Sequence, residues 1–349
     1  MKEDLFQYMN PNQNTHLLQL SLKEKKQLFH LLKNYQLEFR SQLSLPQEVT
    51  FGVEIEFGCP LSEISQAYRN IQEGLNKIAN TWRLEEEVSN YGLEVTSDIL
   101  SDQLKDWKQL KQVCELISKY GNETALSGAH VHVGTHLLQN QEQCYLFVKL
   151  LTAYENMLYR FGYGEYYGAK NRLWYAQPMR EDWESFLYDT NRSKDMWELA
   201  TRVALRTEQS VNLKSFFGDY TQQQLNNTTE FRFPNGTLNP IIWQNNINVF
   251  TKMMLYIQNG FVNQELLDAR IEKNHQLKSI VLKNTQKKNS FPIEFENIEE
   301  YEKLNLEQAL EFSDLIFDNN LDKLYFLRQY IKDGKTSKKK FKKIKNLTR

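Results

Sequence analysis

The stretch Phe51-Gly52-Val53-Glu54-Ile55-Glu56-Phe57 carries an apolar residue at every other position. In an extended chain, residues i and i+2 point to the same face. Phe51, Val53, Ile55 and Phe57 therefore share one face, and Glu54 and Glu56 the other. Three more short segments repeat the arrangement. In Leu93-Glu94-Val95-Thr96, Glu94 and Thr96 oppose two apolar residues. In His130-Val131-His132-Val133, two imidazoles oppose two valines. In Glu230-Phe231-Arg232-Phe233, a carboxylate and a guanidinium oppose two phenylalanines. Half-buried strands ordinarily keep polar residues on the wet side, so any one segment alone reads as a plain surface strand. Glutamate, however, is a poor strand former. Across the four segments the polar positions hold four acids, two imidazoles and one guanidinium, with little else. Carboxylates packed together repel strongly at low dielectric, and divalent cations remove that repulsion. Hard oxygen donors with imidazole suit Mg²⁺ or Mn²⁺, and the planar fork of arginine suits phosphate. The pattern predicts a metal–phosphate site on one face of a mainly antiparallel sheet.

Helical spacing surrounds these strands. Ser21-Leu22-Lys23-Glu24 reads as a capping box, with Leu28, Leu31, Leu32, Tyr35 and Phe39 forming an apolar stripe that predicts a helix to about Ser44. Further helices are expected over residues 62–79, 101–120, 141–161, 196–206 and 239–259. The last of these has Pro240 at its first helical position and Gly260 just beyond its end. Residues 1–20 show no period. Residues 162–180, rich in Gly, Tyr and Arg, read as a long functional loop, and 268–333 as mostly polar helix and loop.

The chain has 349 residues, 40% hydrophobic, with 18 Tyr and 20 Phe, which is ample for a sizeable core and unlike a disordered chain. No apolar run reaches the roughly 20 residues of a membrane helix, so no membrane partner is expected. The start, Met1-Lys2-Glu3-Asp4, lacks a signal-peptide layout. Cys59, Cys114 and Cys144 are odd in number and far apart, which fits a reducing, cytoplasmic setting. Residues 335–349 hold seven Lys and one Arg with no acid; without them the net charge goes from −1 to −9. An acidic body argues against nucleic acid as the main partner, apart from weak contact through the basic tail.

The same segments resemble blocks of the amidoligase family. Residues 51–57 resemble its Gly-Val-Glu-Ile-Glu-Phe signature. Tyr91-Gly92-Leu93-Glu94-Val95-Thr96-Ser97 resembles its second block, Ser127-Gly128-Ala129-His130-Val131-His132-Val133-Gly134 its Gly-x-His-Val-His block, and Thr229 to Phe233 with Asn235-Gly236-Thr237-Leu238 its Glu-Phe-Arg block. That family is similar to glutamine synthetase and glutamate–cysteine ligase. The resemblance implies an α+β, glutamine-synthetase-like catalytic domain, with a curved, mainly antiparallel sheet flanked by helices. It implies ATP, Mg²⁺ (or Mn²⁺), and an ATP-dependent carboxylate–amine ligase working through an acyl phosphate on small-molecule or peptide carboxylates and amines. Residue by residue, it implies that Glu54, His130 and Glu230 hold one metal and Glu56 and Glu94 another. His132 and Arg232 would contact nucleotide phosphates, and Arg206 and Arg232 would serve catalysis. The family's Asp-x-Ser segment reads Glu85-Glu86-Glu87-Val88-Ser89 here, leaving Glu86 or Glu87 as the stand-in, and its Ser-Pro is Ser97-Asp98. The expected layout is a helical extension over 1–46, a catalytic domain over 47–260, a helical segment over 261–332 and a basic tail over 333–349.

Three other readings stay open at this level: a guanidino phosphotransferase of the same superfamily, a metallohydrolase built on His130 and His132, and a non-catalytic nucleotide-binding or scaffold protein. The tail reads as a solvated end, so deleting residues 335–349 is expected to shift stability by no more than about 0.5 kcal/mol in thermal unfolding.

Overall fold

Each of the four alternating segments contributes a strand, and the strands pair in one sheet. The computed structural model describes residues 2–87, 92–124, 126–163, 176–179, 209–213, 227–284 and 298–331. Among these, strands β1 (Phe51–Gly58), β2 (Arg83–Glu87), β3 (Gly92–Thr96), β4 (Ala129–Gly134), β5 (Val211–Asn212) and β6 (Thr228–Phe231) form a sheet in the order β2-β3-β1-β4-β6-β5. Every pairing is antiparallel. With the helices that flank it, this makes a mixed α+β architecture.

The apolar face fixes the register. Phe51, Val53, Ile55 and Phe57 are buried, as are Leu93, Val95, Val131, Val133 and Phe231. They lie against helices α3 (Ile64–Ile78), α4 (Leu104–Ile117), α5 (Gln141–Gly162) and α6 (Pro240–Gln258). Phe51 stacks on Trp107 of α4 with ring centroids 4.9 Å apart, and Phe231 on Phe250 of α6 at 4.2 Å. Burying such a side chain contributes about 1.5–3 kcal/mol. A slip by one residue would send all of them to the wet face and drive Glu54 and Glu56 into the core.

Helix boundaries follow local chemistry. Asn239 accepts the Ile241 N–H at 3.0 Å ahead of Pro240, and α6 ends before Gly260, whose φ of +76° is the left-handed conformation glycine takes at no steric cost. Ser21 and Glu24 form the expected capping box on α2 (Leu22–Asn34). That helix stops at Asn34, ten residues short of the expected end. Side chains from elsewhere satisfy the extended chain beyond it: Arg328 Nε donates to Tyr35 O, Tyr325 Oη to Glu38 O, and Gln244 bonds both the N–H and the carbonyl of Arg40. Tertiary partners thus replace the helix's own hydrogen bonds.

The first 20 residues, aperiodic in sequence, are also anchored. Helix α1 (Lys2–Tyr8) and a 3-10 turn (Leu17–Gln19) bury Leu5, Met9 and Leu17. They meet the last helices, α8 (Ile298–Ile316) and α9 (Asn320–Ile331), which follow α7 (Gln264–Asn284). Asp314 accepts the Leu17 and Leu18 N–H groups at 2.9 and 3.0 Å and pairs with Lys323 Nζ at 2.6 Å. Lys323 is fully buried and also donates to Thr15 O. No helix among the described residues is long and apolar enough to cross a membrane.

Removing one partner of a buried ion pair leaves an uncompensated charge. Asp314→Ala is therefore expected to cost about 3–5 kcal/mol in urea unfolding, because it strands the Lys323 ammonium.

Candidate metal centre

The polar face gathers the acids and imidazoles into one cluster. Across β1 and β3, Glu56 lies directly opposite Glu94; across β1 and β4, Glu54 lies opposite His130; across β4 and β6, His132 lies opposite Glu230. These are cross-strand neighbours, whose Cβ atoms sit about 4.5–5.5 Å apart in any antiparallel pair. Two three-residue groups result: Glu54, His130 and Glu230, and Glu56, Glu94 and His130. Each offers ligand atoms within 4.8 Å of one another. His130 belongs to both. Its Nδ1 lies 2.7 Å from Glu54 Oε2 and 3.6 Å from Glu230 Oε1, while its Nε2 lies 3.3 Å from Glu56 Oε1.

The remaining polar groups orient these carboxylates. His132 Nε2 lies 2.9 Å from Glu54 Oε1, and its Nδ1 lies 3.1 Å from Thr228 Oγ1. Asn212 of β5 donates to Glu230 Oε2 at 3.1 Å, and Arg232 donates from Nη1 to Glu230 Oε1. Glu56 Oε2 accepts the buried Gly128 N–H at 2.6 Å. On β2, Glu85 and Glu87 share the face of Glu94, whereas Glu86 alternates to the other side. Of the two candidate stand-ins, Glu87 is thus the one beside the site.

The electrostatics reflect the crowding. Burial pushes the Glu94 carboxyl up to about 8, with the charges of Glu54, Glu56 and Glu87 adding to it and a hydrogen bond from Thr96 opposing. Glu54 goes the other way. Burial works against its ionisation, but hydrogen bonds and charge from His130 and His132 outweigh burial and hold it well below the usual carboxylate range. For His132, burial disfavours the cation; its hydrogen bond to Glu54 and the charges of Glu54 and Glu230 nonetheless raise its pKa, with Arg232 opposing. Carboxylate oxygens and imidazole nitrogens at this spacing are the donor set that Mg²⁺ and Mn²⁺ accept, and a dication would take up the charge that leaves Glu94 hard to ionise.

Arg232 lies one residue past the end of β6, not inside the strand as the alternation predicts. Its N–H still donates to Ser210 O at 2.8 Å. Ser210 is held in turn by Glu155, a buried acid of α5 that accepts the Ser210 hydroxyl at 2.9 Å and the Met179 N–H at 2.7 Å. Sequence reading passed over Glu155; its signal was a single acid within the otherwise uncharged stretch 150–159. The strand β2 was also not foreseen, because three successive glutamates carry no strand propensity and only pairing with β3 makes them extended. Arg206 and most of the 162–180 loop lie outside the described residues.

No protein-family model matches the chain, and no curated protein matches it either. The resemblance to the amidoligase blocks therefore rests on the motifs themselves. Among solved structures, the crystal structure of a bifunctional glutathione synthetase from Pasteurella multocida is similar at 13% identity and a TM-score of 0.39, over 91% of this chain and 50% of that one. The chain thus spans half the length of that protein, and a likeness at this level establishes neither fold nor activity.

Glu54 contacts both imidazoles from the polar face and contributes nothing to the apolar one. Glu54→Gln is expected to weaken Mn²⁺ binding by at least about tenfold in calorimetric titration, with the far-UV circular dichroism spectrum unchanged.

Proposed function

We propose that this chain is an ATP-dependent carboxylate–amine ligase, with a glutamine-synthetase-like catalytic sheet, that forms an amide through an acyl phosphate. The observation that carries the reading is the convergence of two carboxylate–imidazole groups and a guanidinium on one face of one sheet. In this reading Glu54, His130 and Glu230 hold one divalent cation, and Glu56 and Glu94, with Glu87 beside them, hold another. When bound, such cations neutralise phosphoryl oxygens and align the reacting groups. The substrate carboxylate attacks the γ-phosphorus of ATP and ADP leaves. The amine nitrogen then attacks the acyl carbon and gives up a proton to a base, and phosphate leaves with the bonding electron pair.

The chain's own residues supply the rest. Arg232 projects to the side of Glu230, so its guanidinium borders the cation group and can meet charge growing on the phosphoryl oxygens. Asn212 and the Ser210 carbonyl steady the two residues that border that charge. His132, bridging Glu54 and Thr228, is the second residue proposed to contact phosphate. Arg206 is proposed as a further catalytic arginine. The substrates are a small-molecule or peptide carboxylate and an amine.

The direct test is ADP release in the presence of Mg²⁺ across a panel of amino acids, polyamines and peptides, with mass spectrometry of the products. Amide formation with stoichiometric ADP supports the ligase. A phosphorylated guanidino product, or hydrolysis with no new C–N bond, would overturn it. With a substrate in hand, Arg232→Lys keeps the charge but loses the two-pronged fork. It is expected to lower turnover on the order of 10²-fold, with a smaller change in ATP affinity.

A further inference from the structure

The segment Asn235-Gly236-Thr237-Leu238 follows Arg232 closely, yet none of its side chains joins the ligand groups. Its contacts run instead to the turn that precedes β4. Gly236 N–H donates to Ser127 O at 2.7 Å, Ala129 N–H to Pro234 O at 3.2 Å, and Gly128 and Asn235 form an isolated antiparallel bridge. The approach is so close that a Cβ on Gly236 would stand 2.5 Å from Ser127 Cβ and 2.9 Å from Ser127 O. The other side of the turn is tied by Thr124, whose Oγ1 lies 2.8 Å from Ser127 Oγ and accepts the Ser127 N–H at 3.1 Å. Glu123 holds the far end of the segment, accepting the Leu238 N–H at 2.8 Å. The turn clamped in this way presents the Gly128 N–H to the site, 2.6 Å from Glu56 Oε2.

We propose that Gly236 is a positioning residue for the cation group built on Glu56 and Glu94. By letting the segment that follows β6 close onto Ser127, it aims the Gly128 amide at one oxygen of Glu56 and leaves the other, Oε1, turned to His130 and the cation. A carboxylate with one oxygen held by a buried N–H is oriented and offers its second oxygen as a single ligand atom, the role outer hydrogen bonds play around metal ligands. Glu54 and Glu230 are oriented by His130, Asn212 and Arg232. The clamp therefore bears directly on the cation group that contains Glu56, and reaches the other only through His130, which both share.

The inference rests on the reading of this face as a two-cation site, and the experiment separates the two. Mn²⁺ binding is followed by electron paramagnetic resonance in two backgrounds, Glu230→Gln, which keeps the Glu56–Glu94 group, and Glu94→Gln, which keeps the Glu54–Glu230 group. Gly236→Ala is expected to weaken Mn²⁺ by about 10-fold or more in the first background and by no more than about twofold in the second. Thr124→Ala, which removes the hydroxyl that ties the same turn and adds no atom against backbone, is expected to act in the same direction and provides the test where Gly236→Ala does not fold. Equal weakening in both backgrounds, or none in either, would overturn the positioning role while the two-cation reading stands. Absence of Mn²⁺ binding by the unmodified chain would overturn both.

Discussion

The carboxylate of Glu54 lies between two imidazoles, 2.7 Å from His130 Nδ1 and 2.9 Å from His132 Nε2. This contact holds the polar face together. It needs β1 and β4 in one register only, the one that sets Glu54 opposite His130 and Gly52 opposite His132. The positive side of the network answers Glu54 and Glu230 and leaves Glu94, on the far side of Glu56, to the burial and like charge that make it hard to ionise. The face is thus electrostatically graded, neutralised from within near β4 and β6 and acidic toward β2 and β3. A dication has most to offer at the acidic end.

What keeps the charged face in place is packed on the opposite side of the sheet. Phe231 lies in the chain between Glu230 and Arg232, and its ring stacks on Phe250 of α6 and meets Phe147 of α5 edge-on. Helix α6 is held in turn by polar side chains within its own buried surface. Gln244 bonds the chain at Arg40, Asn245 donates to Tyr325 O, and Asn248 donates to Asp322. Buried amides in this number are tolerated because each meets a hydrogen-bond partner. Through them the first fifty residues and the last helix brace the helix that braces β4 and β6. Among the described residues, these segments steady the site without contributing a residue to its two groups.

Four of the six described strands, and the residues on their polar face, were legible because period-2 alternation is a local property and glutamate and histidine are costly choices for a strand. The same local logic fails where partners come from far along the chain. Tyr35 to Arg40 carry a helical stripe yet run extended, since α6 and α9 supply their hydrogen bonds. Arg83 to Glu87 carry no strand signal yet are extended, since β3 supplies theirs. Glu155, and the part Gly128 plays toward Glu56, escaped notice for a related reason. One acts through a serine hydroxyl about fifty residues away, the other through a backbone N–H, and a backbone donor has no residue type to read.

The sequence by itself determined which side chains share a face, which helices begin at Ser21 and Asn239, and that the chemistry of the shared face suits divalent cations and phosphate. These follow from backbone periodicity and capping, which act over a few residues. Only the tertiary structure decided the order of the strands, and hence that His130 stands between two carboxylate groups with one ring nitrogen toward each. It also decided that Glu87, and not Glu86, faces the site, and that the chain after Arg232 closes behind Glu56. Those outcomes depend on which strands become neighbours, and that is settled by burying one continuous apolar layer contributed by segments nearly two hundred residues apart.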